Sequence, residues 1–239
     1  MAPKYQRVLL KLSGQFLAGK DGSTLCPAKA FDLAREIQEV KTLGVKLAIV
    51  IGGGNIIRGR MAQDMGIDRV TADQMGMLST IINALALQNV FEKYHLETRV
   101  QTSYPISQVA EPFILRRALR HLEKDRILIF AGGTGNPFFT TDTAATLRAS
   151  EIRADILLKG TNVDGVYDRD PNQYPDAKKY AVIDYLEALS KDLQVMDQTA
   201  FAMCKDNGLP IIVFNVSQRG NIRKAILGNK VGTYIGRLS

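Results

Sequence analysis

Three short glycine-rich stretches, each directly following a run of apolar residues, are where this chain has the means to do chemistry. They are Lys11-Leu12-Ser13-Gly14, then Ile51-Gly52-Gly53-Gly54-Asn55 leading to Arg58, and Ala131-Gly132-Gly133-Thr134-Gly135-Asn136-Pro137. Glycine after a strand lets backbone N–H groups approach phosphate oxygens closely. A helix N-terminus behind the turn adds favourable partial charge. A single turn of this kind more often only tightens a strand-to-helix connection. Three of them, with Lys11 and Arg58 beside two, point to a phosphorylated ligand.

The standard phosphate motifs do not fit. Gly14 to Asp21 reads GQFLAGKD, one residue away from a P-loop, but Asp21 stands where a hydroxyl would hold Mg²⁺. Gly22-Ser23-Thr24-Leu25-Cys26-Pro27 then continues as a loop and not as the required helix. This segment reads as a flexible surface loop. The dinucleotide fingerprint also fails, because its third glycine falls on Ile57 in one turn and on Phe138 in the other. That argues against a nicotinamide or flavin enzyme.

Glycine turns need strands to hold them. Near-continuous apolar runs predict strands at 7–12, 45–51, 98–102, 126–131, 155–158, 210–216 and 231–235, the pattern of strands buried on both faces. Helical periodicity predicts helices over 27–43, 71–94, 141–153, 195–207 and 221–227, with Asp73 in the first turn of the second and Ser217 capping the last. Strand and helix alternate, which predicts an α/β fold with a largely parallel sheet. Ligands of such sheets gather at the carboxyl ends of strands, where the glycine turns lie. The 239 residues read as a single domain, with two lobes meeting near 155–160.

Composition sets the outer limits. Apolar residues at 46% suffice for a sizeable core, and the +7 charge suits an anionic ligand. No long basic run or aromatic-basic stripe accompanies that charge, which argues against nucleic acid as the partner. Cys26 and Cys204 lie in no CxxC, and His95 and His121 are far apart, so no metal-ligand cluster is expected. The apolar run at 8–10 is too short for a signal peptide, and no membrane span is expected. A cytoplasmic protein is the expectation.

The order of these turns resembles the amino-acid kinase superfamily, and within it the bacterial-type uridylate (UMP) kinases. The resemblance runs over nearly the whole chain: KLSG at 11–14, IGGGN at 51–55 with Arg58, DQMGM at 73–77, GTGNPFFTTDTAA at 133–145, LLKGTNVDGVYDRDP at 157–171, VMDQTAF at 195–201 and PIIVFN at 210–215. It implies a three-layer α/β/α fold. It also implies transfer of the γ-phosphoryl group of ATP, with Mg²⁺, to UMP, giving UDP and ADP for pyrimidine nucleotide synthesis. Such transfer asks for positioning and charge neutralisation more than covalent chemistry. The accepting phosphate is already ionised, so no general base is needed.

Residue by residue, the resemblance implies that Lys11 neutralises the transferring group, Arg58 reaches other phosphate oxygens, and Asp142 orients Lys11 or helps place Mg²⁺. Lys11, Leu12, Ser13, Gly14 and Gly54 belong to the ATP side with Thr161, Asn162, Tyr167 and Asp170. Tyr167 would lie along the adenine and Asp170 would hold its ribose. Gly53 faces UMP, Asp73 holds the UMP ribose, and Thr134, Gly135, Asn136, Pro137, Phe138, Phe139, Thr140 and Thr141 line the acceptor site. Phe138 and Phe139 read equally as pocket wall or core. Tyr167 has loop packing as its alternative, and Asp142 that of an ordinary helix-start carboxylate. Asp197 reads either as an organiser of the site or as a helix cap. No residue is expected to ligate metal directly; Mg²⁺ would ride on the nucleotide phosphates.

The family resemblance also implies GTP activation through Gly19, Lys20, Asp21, Gly22, Ser23, Thr24, Arg99 and Arg126, UTP inhibition, and a homo-hexamer of three dimers. This chain departs from the pattern at Gln15, where Glu is usual, and at Ser23-Thr24-Leu25, which replaces a glycine-rich ending. Two other readings compete. A relative phosphorylating a carboxylate or carbamate would need the same phosphate apparatus, but the acceptor segment with Asp73 favours UMP. A basic nucleic-acid-binding regulator would show strong loss of binding with salt.

Overall fold

Side chains of the inner strands alternate between two separate hydrophobic cores, one on each face of a single sheet. In Arg7–Leu12 (β1), Val8, Leu10 and Leu12 point to one core and Leu9 to the other. In Lys46–Ile51 (β2), Leu47, Ile49 and Ile51 share the first core, while Ala48 and Val50 join the second. This period of two, with both faces apolar, is why the strands read as unbroken apolar runs.

The computed structural model describes residues 2–57, 64–171, 173–193 and 195–237. After β1 come a 3₁₀ turn at Gly14–Leu17, helix Pro27–Lys41 (α1), β2, helix Arg69–Lys93 (α2) and strands Thr98–Thr102 (β3) and Glu111–Pro112 (β4). Helix Leu115–Glu123 (α3), strand Ile127–Ala131 (β5), helix Thr141–Glu151 (α4) and strand Ile156–Thr161 (β6) follow. Strand Val182–Ile183 (β7), helices Tyr185–Ser190 (α5) and Gln198–Asn207 (α6), strand Ile211–Asn215 (β8), helix Asn221–Ile226 (α7) and strand Thr233–Ile235 (β9) complete the chain. The nine strands form one sheet in the order β4-β3-β5-β2-β1-β6-β8-β9-β7. Pairing is parallel from β4 to β8. It is antiparallel between β8 and β9, with β7 parallel to β9. Helices α1, α2 and α7 cover the first core, and α3, α4, α5 and α6 the second. The predicted three-layer α/β/α arrangement is therefore present.

Differences from the expected elements have local causes. Helix α2 starts two residues early because Asp68 caps it, accepting from the Thr71 N–H at 3.0 Å. Asp73 therefore lies in the second turn and not the first. Ser217 does not cap α7. Gly220 (φ 84°) is the entry residue, and the buried Glu36 carboxylate accepts from the Ile222 N–H at 2.9 Å instead. Helix α3 is not among the expected elements, although Leu115, Ala118, Leu119 and Leu122 fall at helical spacing among its arginines. Strands β4 and β7 are two residues each, too short to show a period.

Candidate active site

Lysines break the apolar pattern of two neighbouring strands at matching positions. Lys11 of β1 pairs in register with Lys159 of β6, on the face that Leu9 and Leu157 share. Both lie toward the carboxyl ends of their strands, where α4 begins. Thr140 caps α4 by accepting from the Asp142 N–H at 3.0 Å, which sets Asp142 in the first turn above the two lysines. One Asp142 oxygen lies 2.7 Å from Lys11 Nζ and the other 2.6 Å from Lys159 Nζ. Lys159 also donates to the Val195 carbonyl at 2.6 Å.

The three side chains are 11–13% exposed, so their charges act in a poorly screened place. Burial pushes the Asp142 carboxyl up, but the ammonium groups of Lys11 and Lys159 outweigh it and hold its pKa below the ordinary value. Burial draws Lys159 down, Lys11 adds to that, and Asp142 only partly opposes it. Two ammonium groups around one carboxylate leave one net positive charge, which suits an anion. The reading of Asp142 as an ordinary helix-start carboxylate is thereby replaced.

Two cavities each have one lysine of this cluster in their walls. One, of about 360 Å³, is lined by Lys11, Ser13, Gly14, Gly52–Gly54, Asp73, Met77, Gly133 and Phe139–Thr141. The other, of about 430 Å³, is lined by Lys159, Thr161, Tyr167, Arg169, Asp170, Pro171, Lys191 and Val195. The fold thus brings the Lys11, Gly53, Asp73 and Thr140 regions to one side and the Thr161, Tyr167 and Asp170 region to the other. Arg58 lies outside the described residues.

The glycine turns are held by polar side chains that the sequence reading passed over. Asn83 of α2 is fully buried and donates to the Gly52 carbonyl and to Asn55 Oδ1, both at 2.7 Å. Asn55 in turn donates to Asn83 Oδ1 at 3.0 Å and to the Thr24 carbonyl at 2.7 Å. A side chain at Gly53 would meet the Gly76 carbonyl at 2.5 Å, so glycine there allows α2 to approach; at Gly54 the space is open. The third turn is pinned by Arg148, which donates to Ser103 Oγ at 2.9 Å, and Ser103 donates to the Gly133 carbonyl at 2.9 Å. A buried Asn or Arg facing a glycine turn has no period of its own, so only a strand-by-strand placement would have found them. Lys159 did leave a signal: a charge at the same strand position as Lys11.

Other residues of the acceptor segment are placed as follows. The Phe138 N–H donates to Asp73 at 2.7 Å, and Arg69 Nε donates to the same carboxylate at 2.8 Å. Phe138 and Phe139 are 65% and 47% exposed, so neither is core; Phe139 lines the cavity and Phe138 stands outside it. Thr134 closes a tight turn by accepting from the Asn136 N–H at 3.1 Å. Thr134, Gly135, Asn136 and Pro137 are not among the residues that line the cavity. On the other side, Leu12 is core, and the Asn162 carbonyl accepts from Asn215 at 3.2 Å. The Tyr167 hydroxyl donates to Asp164. Asp197 is a cap: it accepts from the Ala200 N–H at 2.9 Å, and from the Thr140 and Thr143 hydroxyls, tying α6 to α4.

The loop 19–24 closes on itself through hydrogen bonds. The Gly19 N–H donates to the Ser23 carbonyl at 2.8 Å, and Asp21 accepts from the Ser23 hydroxyl at 2.7 Å. It follows the carboxyl end of β1, whereas Arg99 opens β3 and Arg126 immediately precedes β5, at the amino ends of parallel strands. Within one chain these residues do not form one site. Arg126 pairs with Glu97 at 3.1 Å, and Arg99 lies 3.9 Å from Glu92. Among the described residues no cluster of three or more His, Cys, Asp or Glu could hold a metal ion, and no helix is long and apolar enough to cross a membrane.

Residues 6–215 match the Amino acid kinase family. Among solved structures, the chain is similar to a UMP kinase from Bacillus anthracis, at 44% identity and a TM-score of 0.95, covering 97% of this chain and 96% of that one. A UMP kinase from Ureaplasma parvum matches at 38% identity and a TM-score of 0.93, covering 98% and 100%. A uridylate kinase from Archaeoglobus fulgidus matches at 27% identity and a TM-score of 0.76, covering 96% and 99%.

Proposed function

This chain belongs to the amino acid kinase family, and from that premise we propose that it transfers the γ-phosphoryl group of ATP to UMP, forming UDP and ADP. The observation that carries the reading is a pair of cavities, one lined by Lys11 and the other by Lys159, whose two lysines are bridged by Asp142. Donor and acceptor would enter from opposite sides and meet at a buried positive charge.

In this reading the N-terminal lobe, up to roughly 155–160, carries UMP and the remainder carries ATP. Asp73 binds the UMP ribose, and Thr140, Thr141 and the segment from Thr134 shape the acceptor end. Gly53 and Gly54 offer backbone donors where the phosphates meet. Thr161, Tyr167 and Asp170 bind ATP, with Asn162 contributing through its backbone. Lys11, held by Asp142, neutralises charge on the transferring group, an effect strongest in the transition state. The acceptor phosphate is ionised near neutral pH, which fits a site without a histidine. ATP enters as its Mg²⁺ complex, with the ion on phosphate oxygens, since both Asp142 oxygens already face ammonium groups. Arg58 would complete the phosphate contacts.

A cytoplasmic location, a supply of UDP for pyrimidine nucleotide synthesis, GTP activation, UTP inhibition and a hexamer accompany this reading. One GTP site using both the 19–24 loop and Arg99 with Arg126 would have to be built across chains, because one chain separates them. The test of the reaction is ³¹P NMR of the protein with Mg-ATP and UMP. Growth of UDP signals matched by ADP supports it; ATP hydrolysis with UMP untouched refutes it.

A further inference from the structure

We propose that Lys159 is a second catalytic cation of the phosphoryl transfer, contacting the donor from the side opposite Lys11. This rests on the reading above and assigns a residue within it. Parallel pairing puts Lys159 directly beside Lys11 on the same face, and the two ammonium groups take opposite oxygens of Asp142. Lys11 lines the acceptor-side cavity, and Lys159 lines the donor-side cavity. A structural account would have Lys159 serve only to pin the Val195 carbonyl to the sheet. A neutral donor would do that without the cost of burying a charge. Lys11 and Asp142 alone would cancel; Lys159 adds a second positive charge, which Asp197 opposes more weakly than Asp142 does, and positive charge is what a phosphoryl group gathering charge requires.

In the transfer, the bond between the γ-phosphorus and the oxygen bridging to the β-phosphate breaks, and its electron pair leaves with ADP. A UMP phosphate oxygen forms the new bond to phosphorus. Lys159 keeps its proton throughout. It donates hydrogen bonds on the donor side, to the departing oxygen or its neighbours, while Lys11 serves the γ-phosphoryl oxygens on the acceptor side. Among the described residues, Lys159 Nζ bonds to Asp142 and Val195, which use two of its three N–H groups and leave the third for this contact.

The test compares wild type, Lys159→Met and Lys159→Arg in steady-state kinetics with Mg-ATP and UMP, alongside thermal unfolding. Wild-type turnover of UMP checks the functional reading by itself. If wild type phosphorylates another acceptor, that reading fails, and the Lys159 comparison is made on the acceptor that is used. Lys159→Met is expected to lose about 10²–10³-fold in kcat, the scale of one transition-state donor. Its KM for UMP should stay within about 3-fold and its unfolding midpoint should not fall, because the remaining Lys11–Asp142 pair is neutral. Lys159→Arg should recover roughly tenfold of that loss, since it restores the charge. A Met variant retaining more than about a third of kcat, or Met and Arg variants equally impaired with lowered midpoints, would overturn the proposal. A crystal structure of wild type with ADP, UMP and aluminium fluoride decides independently of variant folding. Lys159 Nζ within hydrogen-bond distance of a fluoride or a β-phosphate oxygen supports it; Nζ still bonded only to Asp142 and Val195 contradicts it.

Discussion

Replacing Asp142 with Asn removes one charge and almost no volume, yet it takes away the anion between two buried ammonium groups. Two ammonium groups, at 2.7 and 2.6 Å from opposite carboxylate oxygens, would then face each other with no anion between them. The side chains are 11–13% exposed, so water offers little relief. Breaking a buried ion pair by removing one partner costs about 3–5 kcal/mol. At roughly 2–4 °C per kcal/mol for a chain of this length, the unfolding midpoint at neutral pH should fall by roughly 6–20 °C. Asp142 titrates below the ordinary carboxylate value when folded, so its stabilisation is present above an unfolded pKa of about 3.9 and is lost as pH falls through the lower folded value. The difference between wild type and Asp142→Asn should therefore shrink in acid. Activity should report the same coupling. Without the carboxylate, burial and Lys11 act on Lys159 against only the weaker pull of Asp197, so the alkaline limb of the kcat profile should move to lower pH. Calorimetry from neutral pH into acid, with kcat measured over the alkaline range, checks both. An Asn variant with an unchanged midpoint and an unmoved alkaline limb would refute the coupled cluster.

Further outcomes follow from the same geometry. Lys11→Ala leaves the Lys159–Asp142 pair intact, so it should fold normally but lose about 10²–10³-fold in kcat with UMP KM within about 5-fold; steady-state kinetics on the folded variant checks this. Asp73→Asn weakens contacts to the Phe138 N–H and to Arg69 and removes the anion proposed for the ribose, so UMP KM should rise roughly 10–100-fold, the scale of a charged hydrogen bond, as a titration of UMP at fixed ATP would show. Lys20→Ser with Asp21→Ser disturbs only an exposed turn, so kcat without effectors should stay within about 2-fold while any GTP response changes; loss of nearly all basal activity would make the loop catalytic.

What could be read from the sequence was whatever repeats with a period or stands out chemically. Apolar runs such as 45–51 and 126–131 gave up their strands because burial on both faces leaves no polar interruption. Glycine turns announced the strand ends, and Lys11 was conspicuous beside one of them. Asp142 could be suspected from its place after Thr140-Thr141, but its two-lysine environment depends on β1 and β6 being neighbours, with Lys11 in register with a residue as distant in the chain as Lys159. That adjacency has no local signature. Asn83 and Arg148 hold the glycine turns through long-range hydrogen bonds to the Gly52 carbonyl and to Ser103, which periodicity does not encode. The cap that Asp197 makes is local and legible, whereas its bonds from Thr140 and Thr143 are not. The exposed Phe138 and Phe139 show the converse: residue type suggested core as readily as pocket, and only the cavity separated them.

The proposed function stands or falls on whether the acceptor-side cavity selects UMP. The most direct measurement is kcat/KM from coupled ADP release with Mg-ATP against UMP, CMP, AMP and small carboxylates. A pocket that hydrogen-bonds one base leaves its groups unpaired with another, which predicts preference for UMP by about 10²-fold or more over every other acceptor. Phosphorylation of CMP, AMP or a carboxylate as efficiently as UMP would contradict it.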